Sequence, residues 1–170
     1  KMSLTQGLTS RFALQSDTLD SVGAFSATNN GLTFANDTEL GEPVAILSGG
    51  DYMSIPSAME TGITTSYTMS MWVRPDSLPA GGGSYALFTD HVSGSVYPSI
   101  QAHLYSDGRL HISHRQANQS GNQGDYTTGS ISGGVWTHLA FVFDGSTMKV
   151  YFNGVLNTSL AMTYIPWNSP

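Results

Sequence analysis

The segment from Gly134 to Leu156 constrains the fold more than any other part of the chain. The run Thr137-His138-Leu139-Ala140-Phe141-Val142-Phe143 is followed by Asp144-Gly145. A second run, Met148-Lys149-Val150-Tyr151-Phe152, leads into Asn153-Gly154, and a third begins at Val155. Asp-Gly and Asn-Gly adopt the positive-φ turns that reverse a chain between antiparallel strands. The segment therefore predicts a three-stranded meander.

The rest of the chain has the same grain. The cleanest alternation is Tyr67-Thr68-Met69-Ser70-Met71-Trp72-Val73-Arg74. Tyr67, Met69, Met71 and Val73 fall on one face, and Thr68, Ser70, Trp72 and Arg74 on the other. Trp72 on that second face predicts that it too is covered locally. Further strands are expected over residues 8–14, 31–35, 44–47, 51–56, 85–89, 98–105, 109–115 and 126–131. One helical turn is expected over 57–62, and a polar surface loop over 116–125. Asp107-Gly108 centres a hairpin that sets His103 opposite His111. His111 and His114, three apart on one strand, point to opposite faces. Short strands at this spacing predict an all-β fold, an antiparallel two-sheet sandwich or jelly roll.

At 170 residues the chain is expected to be one domain, 1–170, with a core of its own. Charged residues are 11% of the total, against about 25% in an ordinary soluble protein. The wet surface must therefore come from Ser, Thr, Asn, Gln and Gly, which suits an extracellular, cell-surface or virion-surface domain. The net charge is −6, with six Lys and Arg spread thinly. That composition gives no electrostatic footprint for nucleic acid. There is no cysteine, so neither disulfides nor thiolate-bound metal enter. No apolar run approaches the roughly 20 residues of a membrane span. Lys1-Met2-Ser3-Leu4-Thr5 lacks the apolar core of a signal peptide.

Five segments in order carry a resemblance: VAILSGGDYMSIPS from Val44, YTMSMWVRPDSLP from Tyr67, SYALFTDH from Ser84, SDGRLHIS from Ser106 and GVWTHLAFVFDGSTMKVYFNGVL from Gly134. Together they resemble the concanavalin A-like jelly roll of the laminin G-like and pentraxin-like group, from about Gly7 to Leu160. The resemblance implies that Trp72 packs within the sandwich, and that Trp136 and His138 are packing residues at the start of a strand. It also implies one or two closing strands beyond the Asn153-Gly154-Val155 turn, which the sequence does not supply. Two expectations stand side by side: a second chain, a neighbouring copy or a separate segment fills those positions, or the sandwich closes with fewer strands.

Catalysis finds little support in the residues. Jelly-roll glycoside hydrolases carry paired carboxylates as E-x-D-x-x-E on one strand. Here the three glutamates, Glu39, Glu42 and Glu60, lie in expected loops. No G-x-S-x-G elbow is present, and the glycine pairs precede no helix. The expectation is a non-catalytic recognition module, binding carbohydrate or a surface protein through rim loops. Tyr97, Tyr105 and Tyr126 are the candidates for stacking on sugar rings, with Asn118 beside them. The resemblance adds a possible calcium ion at the rim. Asp90, Asp107 and Asp125 are its candidate ligands, since calcium takes hard oxygen donors from several loops. The alternative is a structural or assembly domain of a virion or surface appendage.

Overall fold

The computed structural model describes residues 7–56, 66–90, 100–115 and 122–163. Every regular element among them is a strand, and no helix is long and apolar enough to cross a membrane. The chain divides into two units, Lys1–Gly62 and Ile63–Pro170.

The first unit holds four short strands: β1 (Thr28–Asn30), β2 (Thr33–Asn36), β3 (Pro43–Ile46) and β4 (Tyr52–Ser54). They pair antiparallel as β1 with β4 and β2 with β3. The strand expected over residues 8–14 is not there. That segment makes a single bridge, Phe12 to Asp20, and Leu14 sits at φ 56°, which breaks an extended run. Asp20 organises it instead, accepting hydrogen bonds from the Ser10 hydroxyl at 2.6 Å, Arg11 N–H at 2.9 Å, Val22 N–H at 2.9 Å and Gly23 N–H at 3.0 Å. Partial desolvation raises the Asp20 carboxyl, but these donors outweigh it and hold the group well below the usual carboxylate range.

The second unit is the two-sheet antiparallel sandwich. One sheet has the order β12-β11-β10-β5, from β5 (Tyr67–Val73), β10 (Thr137–Phe143), β11 (Thr147–Phe152) and β12 (Val155–Ala161). The other has the order β6-β7-β8-β9, from β6 (Ser84–Thr89), β7 (Ile100–Tyr105), β8 (Leu110–Arg115) and β9 (Asn122–Tyr126). The meander β10-β11-β12 is as its turns predict. Asn153 and Gly154 have φ of 50° and 80°, and the Asp144 carboxylate accepts the Ser146 and Thr147 N–H groups in the other turn.

The core lies between the sheets. Leu139, Phe141, Phe143, Met148 and Val150 come from one side, and Ala102, Leu104, Leu110 and Ile112 from the other. Phe88 meets Phe141 edge-on at 5.0 Å between ring centroids. His114 points inward, as its offset from His111 requires, and is fully buried.

Two expectations are corrected here, one on a strand and one on Trp72. Residues 98–99 of the expected seventh strand lie outside the described residues, as does the helical turn expected over 57–62, and the strand is described from Ile100. The ninth strand is Asn122–Tyr126, taken from the expected loop, and the chain leaves the sheet at Thr127 rather than running on to Ile131. The reason is local hydrogen bonding: Thr127 Oγ1 accepts the Leu110 N–H at 3.0 Å and donates to the Gly129 carbonyl at 2.7 Å, which turns the backbone away. Trp72 does not pack inside the sandwich. It lies on the outer face, 59% exposed, beside His138 at 5.2 Å. The period of two placed it on the polar face, where the His138 ring packs beside it.

Candidate functional site

The outer face of the β6-β7-β8-β9 sheet carries a grouping of polar and aromatic side chains. Ala102 and Leu104 of β7, and Leu110 and Ile112 of β8, enter the core. Strand alternation then turns Gln101, His103 and Tyr105 of β7 outward, with His111 and Ser113 of β8. The register sets His103 opposite His111, and His111 opposite Tyr126. Tyr105, His111 and Tyr126 thus converge from three strands.

Their rings touch. Tyr105 and Tyr126 are 5.3 Å apart in an edge-to-face arrangement, His111 and Tyr126 4.9 Å, and Tyr105 and His111 6.3 Å. The Arg109 guanidinium lies over the Tyr126 ring at 4.9 Å. Arg109 Nε also donates to Asp107 Oδ2 at 2.6 Å, and its N–H donates to Asp107 Oδ1 at 3.0 Å. Both Asp107 oxygens are therefore engaged by one residue, which holds that carboxyl below its ordinary range.

The hairpin that sets this geometry depends on Gly108. Its φ is 78°, and a Cβ there would come 2.3 Å from the Ile131 carbonyl oxygen. Gly124 performs a second service by a different route. A Cβ on it would lie 2.5 Å from Ser113 Cβ, so glycine lets β9 close on β8 and leaves a low floor beside the ring cluster. On that floor Gln101 Nε2 donates to Ser113 Oγ at 2.9 Å.

The histidines of this face are kept neutral. Partial burial lowers His103, and the neighbouring His111 lowers it further. Burial also lowers His111, against an opposing pull from Asp125. His103 Nδ1 shares a 3.2 Å hydrogen bond with the Ser84 hydroxyl. Desolvation, and then Tyr105, push the Tyr126 phenol upward, so it stays protonated. The face offers ring planes, hydroxyls, neutral imidazoles and one guanidinium, a set suited to stacking and hydrogen bonding.

Of the expected binding residues, Tyr105 and Tyr126 come together in this cluster, while Tyr97 and Asn118 lie outside the described residues. The expected calcium ligands do not converge. Asp107 is tied to Arg109, Asp90 follows β6 with its N–H on the Ile100 carbonyl, and Asp125 pairs with Ile112 and accepts its neighbour's N–H at 2.7 Å. No three of His, Cys, Asp or Glu among the described residues are grouped as a metal ion requires. His111 and Arg109 are members of the cluster that the sequence did not single out for binding. The signal for them was the His103–His111 register across the Asp107-Gly108 turn.

On the opposite sheet Trp136 is half-buried under the Arg74 guanidinium at 5.4 Å, and the His138 N–H donates to Asn153 Oδ1 at 2.9 Å. Both are held by neighbouring side chains and the adjacent turn.

With this geometry in place, the chain's relationships are clear. Residues 47–170 match the Laminin_G_3 family model, described as the concanavalin A-like lectin/glucanases superfamily. The chain belongs to that superfamily. Among solved structures it is similar to domain 4 of AbnA, a GH43 extracellular arabinanase from Geobacillus stearothermophilus, in complex with arabinotriose. The TM-score is 0.67 at 24% identity, covering 94% of this chain and 77% of that one. It is also similar to an S-layer domain-containing protein from Clostridium thermocellum, with a TM-score of 0.54 at 21% identity, covering 93% of this chain and 74% of that one. At these identities the likeness is one of fold. No curated protein sequence matches the chain.

Proposed function

We propose that this protein is a non-catalytic carbohydrate-recognition module of an extracellular or surface-attached protein. One observation carries the reading: Tyr105, His111 and Tyr126 converge on one outer sheet face, ringed by hydrogen-bonding groups. Sugars present apolar C–H faces and hydroxyl edges, which aromatic planes and polar side chains complement respectively. The arabinotriose bound to the arabinanase domain of the same fold supports the ligand class. The extracellular arabinanase and the S-layer protein support the location.

The test is a glycan array followed by calorimetric titration of the hits. Tyr105→Ala and Tyr126→Ala are each expected to weaken binding by about tenfold or more, ~1.4 kcal/mol. Unchanged affinity in both variants places the ligand elsewhere. Titrations with calcium and with EDTA separate a sheet-face site from a calcium-assisted one at the rim loops; a loss in EDTA assigns the ion a role.

A second reading, a surface-assembly domain completed by a neighbouring copy or another chain, is favoured by one feature. Strand β12 is an outer strand among the described residues, and Val155 and Leu156 on it are exposed. Light scattering over a concentration series tests it. A higher-order species that Leu156→Lys returns to monomer favours assembly, and a monomer at every concentration removes it.

A further inference from the structure

We infer that the Asp107–Arg109 pair makes this face selective for uncharged glycans, an inference that rests on the carbohydrate reading above. A site for uronate or sulfated sugars needs a cationic fork free to meet the anion. Arg109 is the cation beside the ring cluster, and its charge is already balanced by Asp107. Its Nε donates to Asp107 Oδ2 at 2.6 Å and its guanidinium lies on Tyr126 at 4.9 Å.

The remaining charges do not change the balance. Arg115, the other cation of this sheet among the described residues, is four residues from His111 along β8, roughly 13 Å at the rise of an extended strand. His103 and His111 add no positive charge at neutral pH, and Asp125 acts on His111 with negative charge. An incoming carboxylate would meet Asp107 without an uncompensated partner. A neutral sugar still finds the outer guanidinium N–H groups, the Tyr105 and Tyr126 hydroxyls and the imidazole nitrogens. Asp107 is thus a specificity residue: it spends the Arg109 charge and holds the guanidinium against Tyr126.

The experiment compares neutral arabino-, xylo- and gluco-oligosaccharides with oligogalacturonates by array and calorimetry. Wild-type protein is expected to bind its best neutral ligand at least about tenfold tighter than any oligogalacturonate. Asp107→Asn leaves the guanidinium charge uncompensated and is expected to narrow that ratio by about tenfold. Adding Arg109→Gln to Asp107→Asn cancels the gain in acidic-sugar binding. Neutral-ligand affinity of the wild type is expected to be indifferent to salt, a readout that needs no variant. A wild-type preference for oligogalacturonate, strong salt dependence, or an unmoved ratio in Asp107→Asn overturns the inference while leaving carbohydrate recognition in place. Absence of binding to every neutral and acidic sugar overturns the carbohydrate reading itself, and the inference with it.

Discussion

The phenol of Tyr67 and Nε2 of His114 share a hydrogen bond of 2.6 Å that joins the two sheets through the core. Burial pushes the Tyr67 phenol far upward, so it stays protonated. With Nε2 unprotonated the phenol donates to it, and with Nε2 carrying the ring hydrogen the phenol oxygen accepts. Both rings also pack on Phe143, at 5.6 Å and 4.6 Å between centroids.

Removing that phenol hydroxyl is expected to cost more than losing an exposed hydrogen bond would. Tyr67→Phe keeps the ring but leaves a buried imidazole nitrogen without this partner, a loss of about 1–3 kcal/mol. Urea unfolding measures it as a lower midpoint with unchanged slope. A midpoint within error of wild type would show that the bond contributes nothing net.

Gly108 and Gly134 separate strain from collision. Both have positive φ, 78° and 73°, but only at Gly108 would a Cβ strike backbone. Gly134→Ala is expected to cost ~1–2 kcal/mol, the price of a left-handed residue. Gly108→Ala is expected to cost clearly more and to disturb the ring cluster, read as larger chemical-shift changes at Tyr105 and Tyr126. Equal destabilisation of the two variants would mean that the Ile131 segment moves aside freely.

Thr127→Val tests the exit from β9. The substitution keeps shape but removes the oxygen that accepts the buried Leu110 N–H. A loss of about 1–3 kcal/mol is expected, with faster amide exchange at Leu110. Unaltered exchange at that amide would show that another group accepts it.

Acidification should destabilise the protein from about pH 6.5 downward, the ordinary histidine value. His103 and His111 are lowered in the folded state, so between the folded and unfolded values the unfolded chain binds more protons. Their contribution is complete above the unfolded value and is lost as pH falls through it toward the folded one. Asp20, Asp107 and Asp144 are also lowered, and their contribution is lost as pH falls from the unfolded carboxylate value of about 3.9 through the folded values, so the histidine window opens first. Replacing both histidines with Gln should flatten the onset of the stability loss just below about pH 6.5. A wild-type profile already flat over the upper window would contradict this assignment.

Turn chemistry and period-two alternation were legible wherever a segment closes on itself. Asn153-Gly154, Asp144-Gly145 and Asp107-Gly108 all reverse the chain as their residues require, and His111 and His114 face opposite ways. Polar strands were harder. Asn122–Tyr126 has almost no apolar pattern and is a strand because β8 supplies its hydrogen-bond partners, with Gly124 allowing the approach. The segment 8–14 has an apolar pattern and is not a strand: Asp20 takes the Arg11 N–H and the Ser10 hydroxyl, and Leu14 turns to φ 56°.

The sequence by itself determined the two faces of each regular strand and the antiparallel character of the sandwich. Those follow from backbone geometry that acts over a few residues. Only the tertiary structure decided which polar face matters. The register between β8 and β9 brings Tyr126 beside His111, Tyr105 and Arg109, residues far from it in the chain. Alternation put Trp72 on the outer face, but whether anything covers that face depends on which elements pack there, a question of long-range contacts to which local periodicity is blind.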